Sequence, residues 1–113
     1  ILITPTGRRG IFRLQYKPFG EAVTVVIAGE LDHFAAPQIR RMLDDVIRDP
    51  AITDVVLDLE NLTFMDSSGI GLVLARQRFC VDCGASLYVE NVDRQMSKIL
   101  SLAGIKTIQN TNI

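Results

Sequence analysis

Two adjacent hydroxyl side chains occur in the segment Asp66-Ser67-Ser68-Gly69. A strand pattern precedes this segment and a helical spacing of apolar residues follows it, so the hydroxyls fall in the first turn of a helix. Unpaired backbone N–H groups and the positive end of the helix dipole favour negative charge at that point. The position therefore suits chemistry that creates an anion, such as phosphorylation, and we predict that Ser67 is the acceptor.

The neighbours of Ser67 have structural explanations that compete with functional ones. Asp66 is predicted first as an N-cap or loop-closing residue, and second as a group that orients the acceptor hydroxyl. Ser68 is predicted to be structural. Gly69 and Gly71 allow close approach either to a partner or to the sheet, and packing on the sheet alone is a sufficient reason for them.

Cys80 and Cys83 form a C-x-x-C pair, which on its own is a weak signal for redox or zinc chemistry. The single histidine, His33, is far away in the sequence, so a zinc site would lack ligands. The pair also precedes Gly84 at a predicted helix C-terminus, where the dipole disfavours a thiolate. We therefore expect reduced, partly buried packing residues, with no metal and no other cofactor.

The rest of the chain alternates between strand and helix periodicity. Two strand-like runs surround Pro18-Phe19-Gly20, which indicates an antiparallel hairpin with a short loop. Pro37 suits the first turn of the next helix, Asp49-Pro50 ends it, and Asp93 suits the N-cap of the last helix. The predicted strands are 12–17, 22–28, 54–59, 86–89 and 106–108, and the predicted helices run from Phe34 to Arg48, from Ser67 or Ser68 to Val81, and from Asp93 to Ala103.

This order, β-β-α-β-α-β-α-β, predicts an α/β fold with a mostly parallel sheet of four to five strands, an opening antiparallel hairpin, and helices mainly on one face. Residues 11–113 are predicted to form one domain, and residues 1–10, which lack periodicity, a loosely ordered tail. Partners of such sheets collect at the carboxyl ends of the strands. Asp32 and His33 follow one strand and Ser67 follows the next, so both loops are expected at the same edge.

The helix after Ser67 has more apolar residues than one buried stripe requires. The stripe predicted to face the core comprises Ile70, Val73, Leu74 and Val81. The apolar residues on another side are Leu72, Ala75 and Phe79. That side is either an exposed docking patch near Ser67 or a second buried contact with a neighbouring element, and the sequence supports both equally.

Composition limits the kinds of partner. With 113 residues, 48% of them hydrophobic, and a net charge of −1, the chain has the size and apolar content of one domain. The balanced charge lacks the basic footprint of a nucleic-acid binder. No apolar run approaches the ~20 residues of a membrane span, and the start lacks the apolar region of a signal peptide. We expect a cytoplasmic protein that binds proteins or small molecules.

Two motifs resemble those of the anti-sigma-factor antagonists of the STAS family. The first is Gly29-Glu30-Leu31-Asp32-His33, and the second is Leu62-Thr63-Phe64-Met65-Asp66-Ser67-Ser68-Gly69-Ile70-Gly71. The likeness covers roughly Leu14 to Ile108, and the sporulation-type antagonists are the nearest subgroup. The Asp-Ser-Ser-Gly-aliphatic-Gly signature is fairly specific in a strand-loop-helix setting.

The resemblance implies a partner-switching module rather than an enzyme. In this family, the unphosphorylated antagonist binds an anti-sigma factor and thereby frees the sigma factor. The anti-sigma factor is also a serine kinase that inactivates the antagonist, and a metal-dependent serine phosphatase reverses the modification. By position, Ser67 is the phosphoacceptor, and a monomer or weak dimer is expected. The residues expected to contact the partner are Asp32, His33, Asp66, Ser67, Ser68, Gly69 and Leu72.

Three other functions have weaker support in the sequence. Hydrolysis with Ser67 as nucleophile lacks a G-x-S-x-G motif, and His33 would have to be the base. A carrier protein modified at the Asp-Ser pair would be a small helical bundle, whereas this chain has strands. A STAS scaffold or regulatory domain without a sigma-factor partner is the main alternative, and the short loop before Ser67 fits the stand-alone antagonists better.

Overall fold

Seven strands and three helices make up the described part of the chain in a computed structural model, which describes residues 2–3 and 11–108. The strands are β1 (Leu2–Ile3), β2 (Phe12–Phe19), β3 (Ala22–Leu31), β4 (Asp54–Asp58), β5 (Leu62–Met65), β6 (Ser86–Glu90) and β7 (Lys106–Ile108). The helices are α1 (Ala36–Ile47), α2 (Ser67–Asp82) and α3 (Arg94–Leu102).

One mixed sheet organises these elements, with the strand order β1-β2-β3-β4-β6-β7 and with β5 beside β3. β2 and β3 form the predicted antiparallel hairpin, which turns at Gly20 and Glu21. β4, β6 and β7 then add in parallel, each next to the one before. The predicted α/β architecture is confirmed, although the sheet has seven strands instead of four to five.

The three helices cover one face of the sheet, as predicted. The chain moves across the sheet from β3 to β4, β6 and β7 in a constant direction, and right-handed crossovers then place α1, α2 and α3 on the same side. The burial of the strands agrees with this arrangement. Val25, Leu57 and Val89 are fully buried, whereas their strand neighbours Val56 and Tyr88 on the opposite face are half-exposed.

β5 is a short strand that the periodicity of the sequence does not reveal. It pairs in parallel with the last residues of β3, with Leu62 opposite Gly29 and Met65 opposite Leu31. The N–H of Gly29 donates to the carbonyl oxygen of Asn61, while the next N–H along β3 points to the β2 side. β5 therefore follows β4 along the same edge of β3, and it brings the chain to the start of α2 at the end of β3.

The predicted buried stripe of α2 is wrong in most positions. Val73 is buried as expected, but Leu74 and Val81 are exposed and Ile70 is half-buried. Leu72, which the sequence placed on the side with a possible docking patch, is only 7% exposed and belongs to the core. The observed buried positions follow a helical spacing and are Gly69, Leu72, Val73, Arg76 and Cys80.

A buried ion pair explains how a charged residue takes a core position on α2. Arg76 Nη1 lies 2.6 Å from Asp44 Oδ1 of α1, and the two side chains are only 8% and 11% exposed. The second oxygen of Asp44 lies 3.8 Å from Nε of Arg40, which is largely exposed. Since an unpaired charge is costly to bury, Asp44 is what allows α2 to turn Arg76 inward.

The two cysteines differ in their surroundings. Cys80 is buried, Cys83 is exposed instead of partly buried, and both are free thiols. Burial, and then the proximity of Cys83, raise the pKa of Cys80 to about 11, so this thiol is protonated at neutral pH. Among the described residues, no three His, Cys, Asp or Glu side chains are grouped so that they could hold a metal ion.

The predicted loose tail, residues 1–10, falls mostly outside the described residues. Residues 1 and 4–10 are not described, whereas Leu2–Ile3 pair with Gln15 and Leu14 of β2. At the other end of the predicted domain, residues 109–113 are also outside. No helix within the described ranges is long and apolar enough to cross a membrane.

Candidate functional site

Asp66 is the N-cap of α2, in agreement with the first prediction for it. Its backbone is extended, and its Oδ1 accepts hydrogen bonds from the N–H groups of Ser68 at 2.9 Å and Gly69 at 3.3 Å. Two of the donors that a helix start leaves unpaired are thereby satisfied. The helix consequently begins at Ser67, immediately after its cap.

Ser67 occupies the first position of α2 and is exposed, whereas Ser68 is half-buried. The hydroxyl-bearing residue selected from the sequence is therefore open to solvent. It lies at the positive end of the α2 dipole and directly after the carboxylate of Asp66. An exposed serine at such a position can accept a phosphoryl group without disturbing the core.

The end of β3 lies beside this helix start, so the two predicted loops do meet. The N–H of Asp66 donates to the carbonyl oxygen of Leu31 at 3.4 Å. His33 Nδ1 lies 3.8 Å from Asp66 Oδ2, and the imidazole ring contacts the ring of Phe34 with a centroid distance of 4.0 Å. The exposed imidazole is thus held next to the cap of the helix that carries Ser67.

Asp32 closes the turn that leads into α1. Its Oδ1 accepts hydrogen bonds from the N–H groups of Phe34 at 3.0 Å and Ala35 at 2.9 Å. Its backbone carbonyl oxygen also accepts from the N–H of Ala36. These contacts give Asp32 a capping role, and its predicted contact with a partner stays a prediction.

Gly69 packs against the sheet and does not face outward. It is buried, and a Cβ at this position would lie 2.6 Å from Met65 Cγ and 2.9 Å from both Cγ and the carbonyl oxygen of Leu31. The helix start can approach β3 and β5 this closely only without a side chain. The structure therefore supports the packing explanation for Gly69 and leaves little of the residue for a partner to touch.

A groove of about 460 Å³ opens between α1 and α2 beside the helix start. Its polar lining comes from His33, Arg40, Ser68 and Arg76. Its apolar lining comes from Ala36, Pro37, Gly71, Leu72 and Ala75. Leu72 was predicted to contact a partner from an exposed side of the helix, but its burial limits it to the floor of this groove.

A second groove of about 280 Å³ lies between β5 and the start of α3, and it is lined mainly by apolar side chains that include Phe64, Met65 and Met96. Phe64 is 51% exposed, and Phe34, whose ring contacts the ring of His33, is 43% exposed. Sequence reasoning missed both aromatic residues as contact candidates. The sequence did contain a signal for these two residues. Each is a large apolar residue within three positions of Asp32 or Ser67, in a loop or a short strand, where it can be exposed.

The fold and the site define a one-sided α/β domain that exposes a serine at a capped helix start. The chain belongs to the STAS domain family, whose profile matches residues 13–112.

Comparison with known proteins points to particular members of this family. The chain is 38% identical over 85 residues to the anti-sigma F factor antagonist of Lysinibacillus sphaericus, which is 75% of this chain and 73% of that protein. It is also similar to the anti-sigma factor antagonist SpoIIAA in its unphosphorylated form, with a TM-score of 0.74 and 35% identity over 88% of this chain and 89% of the other. For the phosphorylated form of the Bacillus cell fate determinant SpoIIAA, the TM-score is 0.72 with 33% identity, covering 88% and 92% of the two chains.

Proposed function

We propose that this chain is an anti-sigma-factor antagonist whose binding is switched by phosphorylation of Ser67. With a free hydroxyl at Ser67, it binds an anti-sigma factor that is also a serine kinase. Phosphorylation by that kinase releases the complex, and a serine phosphatase restores the binding form. The exchange takes place in the cytoplasm, between proteins, with this chain as a monomer or weak dimer and without a cofactor or catalysis of its own.

The observation that carries this proposal is the exposure of Ser67 at the first position of α2. A kinase can reach this hydroxyl in the folded protein. The identity to the antagonist of Lysinibacillus sphaericus and the likeness to both forms of SpoIIAA support the same function. The exposed rings of Phe34, which contacts His33, and of Phe64, three residues before Ser67, offer the apolar contact area that a protein interface requires.

Local charge is a sufficient mechanism for the switch. A phosphoryl group adds about −1.5 to −2 charges at neutral pH. At the exposed start of α2 this charge stays hydrated in the free protein, but in the complex it would be buried against the partner and beside the Asp66 carboxylate. Burying an uncompensated charge costs several kcal/mol, and about 4 kcal/mol already lowers the affinity a thousandfold.

The test is incubation of the folded chain with candidate anti-sigma kinases and Mg-ATP, followed by mass spectrometry. Trypsin would release Ser67 in a peptide that runs from Asp49 to Arg76 and also contains Thr53, Thr63 and Ser68, so fragment ions must locate the phosphate. We expect the phosphate on Ser67, its loss in Ser67→Ala, and its retention in the matched control Ser68→Ala.

The same kinase should bind the unmodified chain and release the phosphorylated one, with an affinity lower by about a thousandfold in titration calorimetry. A phosphate located on Ser68 would contradict the assignment of the acceptor. The absence of phosphate with every candidate kinase would contradict the antagonist function and favour a scaffold domain.

A further inference from the structure

We propose that the groove between α1 and α2 receives an acidic side chain of the anti-sigma factor, and that the backbone of this partner lies against Gly71. The inference rests on the proposed function and specifies the chemistry of the same partner. Its three supports are the charge of the groove, an incompletely used guanidinium group, and a glycine that the fold itself does not require.

The groove carries an excess of positive charge. The guanidinium groups of Arg40 and Arg76 share one carboxylate, Asp44, at 3.8 and 2.6 Å. His33 lines the same groove at the end nearest the helix start, with the carboxylate of Asp66 3.8 Å from its ring. Arg40 is 65% exposed at the rim, so its charge is available to a group that arrives from outside. An acidic side chain complements this arrangement, and a basic one is repelled by it.

Arg76 has donor capacity that the described chain does not use. Its side chain is more than nine-tenths buried and lines the groove, yet its Nε has no hydrogen-bond partner among the described residues. Buried donors are normally paired, and a guanidinium group binds two carboxylates readily because it presents five N–H groups. A carboxylate from a partner that lies in the groove beside Arg40 would add a further counter-charge to this guanidinium group.

Gly71 is the residue that no internal contact explains. A Cβ built on it meets nothing within 4 Å, and it is exposed in the interior of a helix, where glycine is unfavourable. The other glycines of the described residues have either a positive φ or, as at Gly69, close neighbours. The free space above Gly71, flanked by the short side chains of Pro37 and Ala75, allows the backbone of a partner to lie in contact with α2.

The groove is continuous with the phosphorylation site. Ser68 lines it, and Ser67 is the preceding residue at the exposed start of the same helix. A partner that covers Ser67 therefore reaches the groove without a second docking event. An acidic side chain held there also accounts for the direction of the switch, since a phosphoryl group on Ser67 places like charge beside it.

The first test compares Arg40→Glu with Arg41→Glu for binding to the anti-sigma factor that phosphorylates Ser67. Both arginines lie on α1 four residues before an aspartate, so both variants place a like charge at the same helical spacing, but only Arg40 lines the groove. We expect Arg40→Glu to lower the affinity at least tenfold and to weaken its salt dependence. Arg41→Glu should change the affinity less than twofold. Equal affinities of the two variants, or tighter binding by Arg40→Glu, would overturn the proposal.

The second test uses Gly71→Ala and Gly71→Leu. Because a Cβ meets nothing there, we expect both variants to fold with a melting temperature at or above that of the wild type. Affinity for the anti-sigma factor should fall about tenfold for alanine and further for leucine. Arg78→Leu, which adds a leucine at an exposed position further along α2, serves as the control and should bind as the wild type. Unchanged affinity of Gly71→Leu would exclude a close approach of the partner.

A charge exchange identifies the occupant. Single Asp→Arg and Glu→Arg changes on the surface of the anti-sigma factor should include one that restores binding to Arg40→Glu. If Arg40→Glu instead alters self-association in sedimentation velocity while binding of the anti-sigma factor is unchanged, the occupant is a second copy of this chain and the proposal is wrong. Phosphorylation of Ser67 with no effect of any groove variant would leave the proposed function standing and refute this inference. If no anti-sigma factor binds at all, both fail together.

Discussion

The two sides of α2 are under different constraints. The side that faces the sheet and α1 carries Gly69, Arg76 and Cys80. Close neighbours account for the glycine and the arginine, and Cys80 is fully buried in the core. The outward side carries Ser67 and Gly71. Both residues are exposed, and no contact within the described residues requires a hydroxyl or a glycine at these positions. Internal contacts are a sufficient reason for the residue types on the inner side. Because no internal contact in the described part of the chain explains the residue types on the outward side, we infer that these residues contact another molecule.

Breaking the ion pair between α1 and α2 should give the largest effect on stability. Asp44→Ala leaves Arg76 buried without a counter-charge, and we expect a loss of about 3–5 kcal/mol in the free energy of unfolding, measured by urea denaturation. Asp45→Ala is the matched control. The Asp45 side chain is 83% exposed, and its one ion pair among the described residues is a weak contact at 3.9 Å with the exposed Arg48. It should change the free energy of unfolding by less than about 0.5 kcal/mol. Equal effects of the two substitutions would mean that Asp44 does not compensate Arg76.

The two glycines near the start of α2 should respond to alanine with opposite signs. In Gly69→Ala the new Cβ would overlap Met65 and the backbone of Leu31, so we expect a loss of about 1–3 kcal/mol in the free energy of unfolding. In Gly71→Ala the new Cβ meets open space, and the lower backbone entropy of the unfolded chain should add about 0.5–1 kcal/mol. Thermal melts followed by circular dichroism measure both changes. A stabilising Gly69→Ala, or a destabilising Gly71→Ala, would remove the distinction between the two sides.

A pH-dependent effect concerns the buried thiol on the inner side of α2. Burial raises the pKa of Cys80 from 9.0 to about 11, so the unfolded chain loses this proton at a lower pH than the folded chain. The contribution of the thiol to stability is present below pH 9 and is lost as the pH rises toward 11. The pKa of Tyr16 is also raised, by burial and by Asp45, and adds to the same trend. Unfolding by urea between pH 8 and 11 should therefore show a shallower decline for Cys80→Ala than for the wild type. Equal slopes would show that Cys80 does not titrate differently in the two states.

The hairpin, the three helices and the convergence of two loops could be predicted from the sequence because local signals encode them. Period-two runs on both sides of Pro18-Phe19-Gly20, and Asp93 ahead of the last helix, depend on residues close in the chain. The inner stripe of α2 could not be predicted in this way. Arg76 is buried only because Asp44, 32 residues earlier, lies opposite it, and apolar periodicity gives no weight to a charged residue.

β5 and the groove residues depend on long-range contacts in the same manner. β5 has only four residues, with burial that does not alternate, and it becomes a strand because the end of β3 offers a free edge at Gly29 and Leu31. Arg40 gave no signal in the sequence because an exposed charge on an amphipathic helix is normally solvated. Arg40 lines the same groove as Arg76 only because α1 packs against α2.

The N-cap at Asp66 has a consequence beyond the stability of α2. The N–H groups of Ser68 and Gly69 are already held by a carboxylate, so a phosphate ester on Ser67 finds these two donors taken by a group of its own sign. If Ser67 carries the proposed phosphate, we expect the ester to face water, because Asp66 already accepts from these two N–H groups. A phosphate that faces solvent would be accessible both to a partner and to a phosphatase. Asp66, which caps the helix, would therefore also keep the modification accessible.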